Sequence, residues 1–153
     1  MKRNKIKICL TCSAGGHFHQ LLLAIKDIDA DFYWVLYKTK HTEKIMKTKK
    51  HYFIRNLIFE KKVTYLINFI QSFIILLIER PNIIISTGAG VSVPTIFLGK
   101  KIFNIKIIYI CSAANVSEPS RTPLWAYKYS DLFLFQWDEL NKYFPKGINI
   151  GIL

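Results

Sequence analysis

Short runs of apolar, mostly β-branched or aromatic residues alternate along this chain with longer stretches of helical periodicity. The runs Ile6–Cys12, Phe32–Thr39, Tyr52–Arg55, Asn82–Thr87, Lys106–Ser112, Leu132–Trp137 and Ile148–Ile152 read as strands. Most are continuously apolar rather than alternating, the pattern of parallel strands covered on both faces. Between them His17–Lys26, Thr42–Lys49, Val63–Glu79, Ser92–Phe103, Pro123–Tyr129 and Asp138–Tyr143 read as helices. This alternation predicts an α/β fold, a doubly wound parallel sheet with right-handed crossovers. No repeat, linker or low-complexity stretch interrupts it, so residues 1–153 are expected to form a single domain.

One helix departs from the ordinary pattern. Val63–Ile78 is the longest uncharged run, and its polar residues Thr64, Asn68, Gln71 and Ser72 recur at helical spacing, leaving a broad apolar face that includes Phe69 and Phe73. Lys61 and Lys62 stand just before it. An apolar face beside lysines suits a helix lying on an anionic membrane surface, and equally a core helix packed on the sheet. The run falls short of the ~20 apolar residues of a spanning helix, so no transmembrane span is expected. The basic N-terminus lacks an apolar stretch long enough for a signal peptide.

Composition sharpens this picture. The mean hydropathy of +0.20 is high for a soluble domain and leaves apolar surface for a membrane or a partner. The net charge is +12, with 22 Lys and Arg against 10 Asp and Glu. The bases gather near the N-terminus, from Lys38 to Lys62, and at Lys100, Lys101 and Lys106. Such a surface attracts anionic headgroups or phosphorylated substrates, or is simply solvated. No basic recognition motif or stacking-aromatic module stands out, which argues against nucleic acid. Cys9 and Cys12 form a C-x-x-C, but they lie in a strand where positions three apart point to opposite faces. With no second C-x-x-C and no His pair, buried thiols are expected, with neither metal site nor cofactor.

Chemistry in a doubly wound sheet sits beyond the carboxyl ends of the strands. Three segments fall there. The first, Ser13-Ala14-Gly15-Gly16-His17, turns tightly into a helix whose N-terminal amides favour an anion. Its spacing is neither that of a dinucleotide fingerprint nor that of a P-loop. His17 is the candidate base, able to take a proton near neutral pH. The second segment, Thr87-Gly88-Ala89-Gly90-Val91-Ser92-Val93-Pro94, repeats the device, with Ser92 placed to cap and Pro94 suited to a first helical turn. Two such turns make a pocket for a diphosphate, with Ser13, Gly15, Gly16, Thr87, Gly88 and Gly90 as contacts. The third segment, Ser112 to Arg121, offers Asn115 and Arg121 to a sugar or phosphate, and Glu118 as a fallback base.

The strand-then-Ser-Ala-Gly-Gly-His opening, the segment Arg80 to Val91 and the segment Asp131 to Trp137 together resemble the accessory subunit of split GT-B glycosyltransferases. Members include bacterial capsule and exopolysaccharide subunits and the membrane-recruiting subunit of the eukaryotic UDP-GlcNAc transferase that adds the second sugar to dolichol diphosphate. More remotely the chain looks like the N-terminal half of MurG-type transferases. The resemblance implies a Rossmann-like domain equivalent to the N-terminal half of a GT-B enzyme. Such a half holds a polyprenyl-diphosphate-linked saccharide acceptor at the cytoplasmic face of the membrane, as a peripheral protein, while a partner chain binds the UDP-sugar. Gly15, Gly16 and His17 match the family's first glycine loop, and Gly88 to Gly90 match the second. The chain stops at Leu153, about where a fused enzyme would enter its donor domain, as a split enzyme would. Relatives carry Glu-Ser-Phe-Ala-Arg where this chain has Cys111-Ser112-Ala113-Ala114-Asn115, which implies that those roles are lost or moved, to Glu118 or Arg121. The expectation is a hexosyltransferase subunit of cell-surface polysaccharide biosynthesis, inactive without its partner; the alternative is a non-catalytic scaffold that stabilises a transferase at the membrane.

Overall fold

The computed structural model describes residues 5–58 and 62–153. Among the described residues seven strands alternate with five helices. The strands are β1 (Lys7–Cys12), β2 (Asp31–Tyr37), β3 (His51–Ile54), β4 (Ile83–Gly88), β5 (Lys106–Ile110), β6 (Leu132–Phe135) and β7 (Ile148–Asn149). The helices are α1 (Gly16–Ile25), α2 (Lys40–Met46), α3 (Lys62–Glu79), α4 (Val93–Lys101) and α5 (Arg121–Tyr127). The strands form one parallel sheet in the order β3-β2-β1-β4-β5-β6-β7. The chain winds outward from β1 to β3, then crosses back to β4 and winds the other way. The doubly wound expectation therefore holds, and the switch point lies between β1 and β4, where ligands enter such sheets.

The expected elements are all present except one helix. Asp138–Tyr143 closes only a single 3-10 turn, Asp138–Leu140. Six residues ahead of Pro145 are too few to propagate an α-helix. Gly90–Ser92 is likewise a 3-10 turn, and α4 starts only at Val93. Pro94 occupies its first turn as expected. The Ser92 hydroxyl does not cap the helix; it donates back to the Ala89 carbonyl at 2.7 Å.

Each sheet face has its own core. On one, Ile8, Leu10, Cys12, Trp34 and Leu36 meet Phe18, Leu21 and Ile25 of α1 and Met46 of α2. On the other, Cys9, Tyr33, Val35, Ile84 and Ile107 meet helices α3, α4 and α5. Cys9 and Cys12 thus sit on opposite faces, buried and unpaired, with Cys111 likewise free. Burial pushes all three thiols up to about 12, which leaves them inert at neutral pH.

Helix α3 meets its core with an unusual face. Its buried residues are Thr64, Asn68, Ser72, Ile75, Leu76 and Glu79. Asn68, fully buried, donates to the carbonyls of Arg55 (2.8 Å) and Val91 (3.3 Å). Ser72 pairs with Thr95 of α4 at 3.0 Å, and Gln71 accepts from the Arg55 amide at 2.7 Å. At the far end Glu79 takes hydrogen bonds from Lys50 (2.8 Å), Lys7 (3.3 Å) and the Tyr52 hydroxyl. Burial alone would raise the Glu79 carboxyl, but these three donors more than offset it and hold it below the usual carboxylate range.

Candidate functional site

The carboxyl ends of β1 and β4 bring the two glycine turns together. After β1 the backbone turns at Gly15, with φ 84°, and enters α1 without any side-chain cap. The amides of the first helical turn lack intrahelical partners by geometry, so this end of α1 is open to an anion. At the end of β4, Gly88 has φ 105°, and a Cβ there would collide with the Tyr109 hydroxyl. Only glycine fits that position. The next residue, Ala89, adopts φ 74° and ψ 153°, a conformation costing an L-residue about 1–3 kcal/mol. Strain held at a turn beside a cavity is a common mark of a binding loop.

His17 joins the two turns. Its Nδ1 lies 2.7 Å from the Thr87 carbonyl. A carbonyl only accepts, so Nδ1 carries the proton and Nε2 of the neutral ring keeps its lone pair. The Thr87 hydroxyl donates in turn to the His17 carbonyl at 2.7 Å. Two bonds between residues 17 and 87 therefore fix both the ring tautomer and the start of α1. Burial lowers the His17 pKa below its ordinary value, partly countered by the bond to Thr87. A neutral imidazole with one free nitrogen is the form a general base needs.

The expected contacts divide into three groups. Ser13 and Gly90 line an open cavity of about 420 Å³. Gly15 and Gly16 are exposed at the turn, with nothing within 4 Å of a built Cβ. Thr87 and Gly88 are buried, so the Thr87 side chain serves His17 and not the crevice. In the third segment, Asn115 is stapled within its own loop, accepting from the Ser120 amide and donating to the Ser112 carbonyl. Both its polar atoms are engaged, which redirects it from ligand contact to loop structure. Glu118 and Arg121 are solvent-exposed and line no part of that cavity.

The same loop is held from β6. Gln136 donates to the Cys111 carbonyl at 2.9 Å, and the Trp137 indole donates to the Ala113 carbonyl at 2.7 Å. Of the third basic group, Lys100 and Lys106 both grip Asp131, at 2.6 and 3.5 Å, leaving less of that charge for an external anion. Among the described residues no cluster of metal-ligating side chains occurs.

The sequence pattern does not reveal the rest of the cavity wall: Tyr37 at the end of β2, Asn56 and Leu57 after β3, and Tyr65 at the start of α3. The rule that places the glycine turns at strand ends applies equally to β2 and β3. What hides these residues is that none belongs to a glycine motif.

The outward side of α3 is the other candidate surface. Val63, Tyr65, Leu66, Ile67, Phe69, Ile70, Phe73, Ile74, Leu77 and Ile78 are all exposed, Leu66 by 61% and Ile78 by 65%. Phe69 and Phe73 lie against Phe97 and Phe103, which carries the apolar surface across to α4 and its C-terminal end. Lys62 opens the helix, and Lys61 lies outside the described residues. At 18 residues and a mean hydropathy of 1.5, α3 is long and apolar enough to cross a bilayer by length and composition, although its uncharged run taken alone is too short. A third of it is buried against the domain.

Comparison with known proteins places these features in context. A family profile described as "Oligosaccharide biosynthesis protein Alg14 like" matches residues 35–153. The UDP-N-acetylglucosamine transferase subunit ALG14 of Candida albicans is 37% identical over 95 residues, covering 59% of this chain and 43% of that protein. The chain thus spans less than half the length of the relative it matches. Among solved structures, MurG of Acinetobacter baumannii superposes with a TM-score of 0.71 at 11% identity, covering 88% of this chain and 42% of MurG. The UDP-N-acetylglucosamine 2-epimerase of Rickettsia bellii gives 0.71 at 13% identity, covering 92% and 41%. At such identities the superpositions speak for the fold alone, a Rossmann-like unit matching part of a longer chain.

Proposed function

The chain belongs to the Alg14-like family of oligosaccharide biosynthesis proteins, and from that premise we propose that it is the acceptor-side subunit of a two-chain glycosyltransferase. In this reading it holds a polyprenyl-diphosphate-linked saccharide, and a partner chain presents the UDP-sugar. The pair then transfers a hexose during cell-surface polysaccharide biosynthesis. The observation that carries the proposal is the pair of glycine turns locked together by His17 and Thr87 at the switch point of the sheet. The uncapped start of α1 suits the diphosphate, with Ser13, Gly15, Gly16 and Gly90 beside it.

The acceptor hydroxyl attacks the anomeric carbon of the donor sugar, and the nucleoside diphosphate leaves. Nε2 of His17 takes the proton that the hydroxyl loses, while Thr87 holds the ring in the tautomer that allows it. Positioning supplies the remainder of the acceleration. The outward face of α3, with Lys62, Phe69 and Phe73, rests on the anionic cytoplasmic surface of the membrane and delivers the crevice to its lipid-linked substrate.

The test is reconstitution with the donor-side chain and a transfer assay on a lipid-linked acceptor. His17→Ala is expected to lower turnover by roughly a hundredfold or more while the two chains still co-purify. Near-normal turnover in that variant favours the alternative, a scaffold that recruits and stabilises a transferase without contributing to the chemistry.

A further inference from the structure

We infer that the 420 Å³ cavity beside the second glycine turn takes the first isoprenyl units of the acceptor lipid, next to its diphosphate. The inference rests on the acceptor-side reading and adds to it a site for the carbon chain. Three observations carry it.

The first is the nature of the wall. Leu57, Tyr65, Val93 and Pro94 give it a largely carbon surface, and among the described residues that line it none carries a charge. A second phosphate would find no ionic partner among them. A hydrocarbon needs none and gains by leaving water.

The second is what the cavity connects. Its wall includes Ser13 and Gly90, members of the two glycine turns. It also includes Tyr65, which is 40% exposed and belongs to the outward apolar face of α3 together with Leu66 and Phe69. The cavity therefore shares its wall with the anion-suited turns and with the lipid-suited face of α3. A prenyl diphosphate has that same order of parts: charged head, then chain, then bulk membrane. A planar nucleobase would use the tyrosines but not the connection to α3.

The third is Gly90. Its φ does not lie in the left-handed region, so the backbone conformation does not demand glycine there. A Cβ at this position would stand 3.8 Å from Leu57 Cδ1, so a methyl fits but a larger side chain would enter the cavity. With glycine there, the backbone of the second turn stays open to whatever occupies the cavity.

The experiment is calorimetric titration of the full chain with inorganic diphosphate, dimethylallyl diphosphate and farnesyl diphosphate. Affinity is expected to rise with tail length, by roughly tenfold or more from inorganic to farnesyl diphosphate. Val93→Trp, which fills the cavity, should bring farnesyl diphosphate to within about twofold of the inorganic ligand. Leu57→Asn, in the loop after β3, is the second variant should Val93→Trp fail to give a cooperative melt. Equal affinity for all three ligands overturns the lipid subsite and leaves the glycine-turn reading standing. A tail-length gain that survives in the folded variant or variants also overturns it, because the chain then lies on the outer face of α3. Failure of all three ligands to bind the unaltered chain removes the acceptor-side reading itself, and the subsite with it.

Discussion

Helices α1 and α3 lie on opposite faces of the same sheet and are built inside out relative to each other. Helix α1 turns Phe18, Leu21 and Ile25 inward and leaves His19 exposed, the ordinary arrangement for a helix on a sheet. Helix α3 turns Thr64, Asn68 and Ser72 inward beside only two large apolar residues, Ile75 and Leu76, and leaves ten large apolar side chains exposed. The difference separates two jobs that usually coincide. In α1 burial of carbon both stabilises the domain and positions the glycine turn. In α3 hydrogen bonds do much of the docking, which leaves its carbon surface for another environment.

That contrast is open to direct attack. Leu21→Ala removes a fully buried side chain from the α1 core and is expected to cost about 2–5 kcal/mol in denaturant unfolding, the largest loss of the set. Asn68→Ala on α3 leaves the carbonyls of Arg55 and Val91 without their donor and should cost about 1–3 kcal/mol. A cost near zero would mean that the polar stripe does not hold α3 in place. Joint replacement of Leu66 and Ile70 by serine should change stability by no more than about 0.5 kcal/mol, as exposed positions do, while sharply reducing retention on anionic vesicles. A large stability loss there would show that the outer face is packed in the free domain.

The smallest effect concerns the start of α1 and is read in pH. Burial lowers the His17 pKa from the ordinary 6.5, so its ring stays neutral as the pH falls through that value. Transfer by the reconstituted pair should hold through pH 6.5 and decline only below it; an acid limb at or above 6.5 removes His17 as the base. The stability linkage has the same sense. The unfolded chain binds the proton first on acidification, so the contribution is whole above 6.5 and is lost as the pH falls through the folded value.

Much of the fold is legible in the chain's hydrophobic pattern. The continuous apolar runs announce parallel strands, and six of seven strands end within two residues of their expected carboxyl ends; the last, β7, is cut short at Asn149. The glycine turns are legible because they follow such runs directly. Less legible is the wall of the cavity, since Tyr37, Leu57 and Tyr65 come from three elements and share no motif. Thr87, placed by its motif as a ligand contact, is instead the residue that fixes His17. That role depends on β1 and β4 being neighbours across 70 positions of sequence.

By itself the sequence determined the alternation of elements, and with it the layered sheet, because hydrophobic period and turn chemistry are local properties. It also determined that α3 would carry one polar stripe and one broad apolar face. Which of the two faces inward was decided only by tertiary structure. Asn68, Gln71 and Ser72 find their partners in the loop after β3 and in and just ahead of α4, and an unsatisfied polar group costs more to bury than an exposed hydrocarbon costs to leave in water. The periodicity of a helix records that it has two faces; only the donors and acceptors waiting in the loop after β3 and around α4 decide which of them turns away.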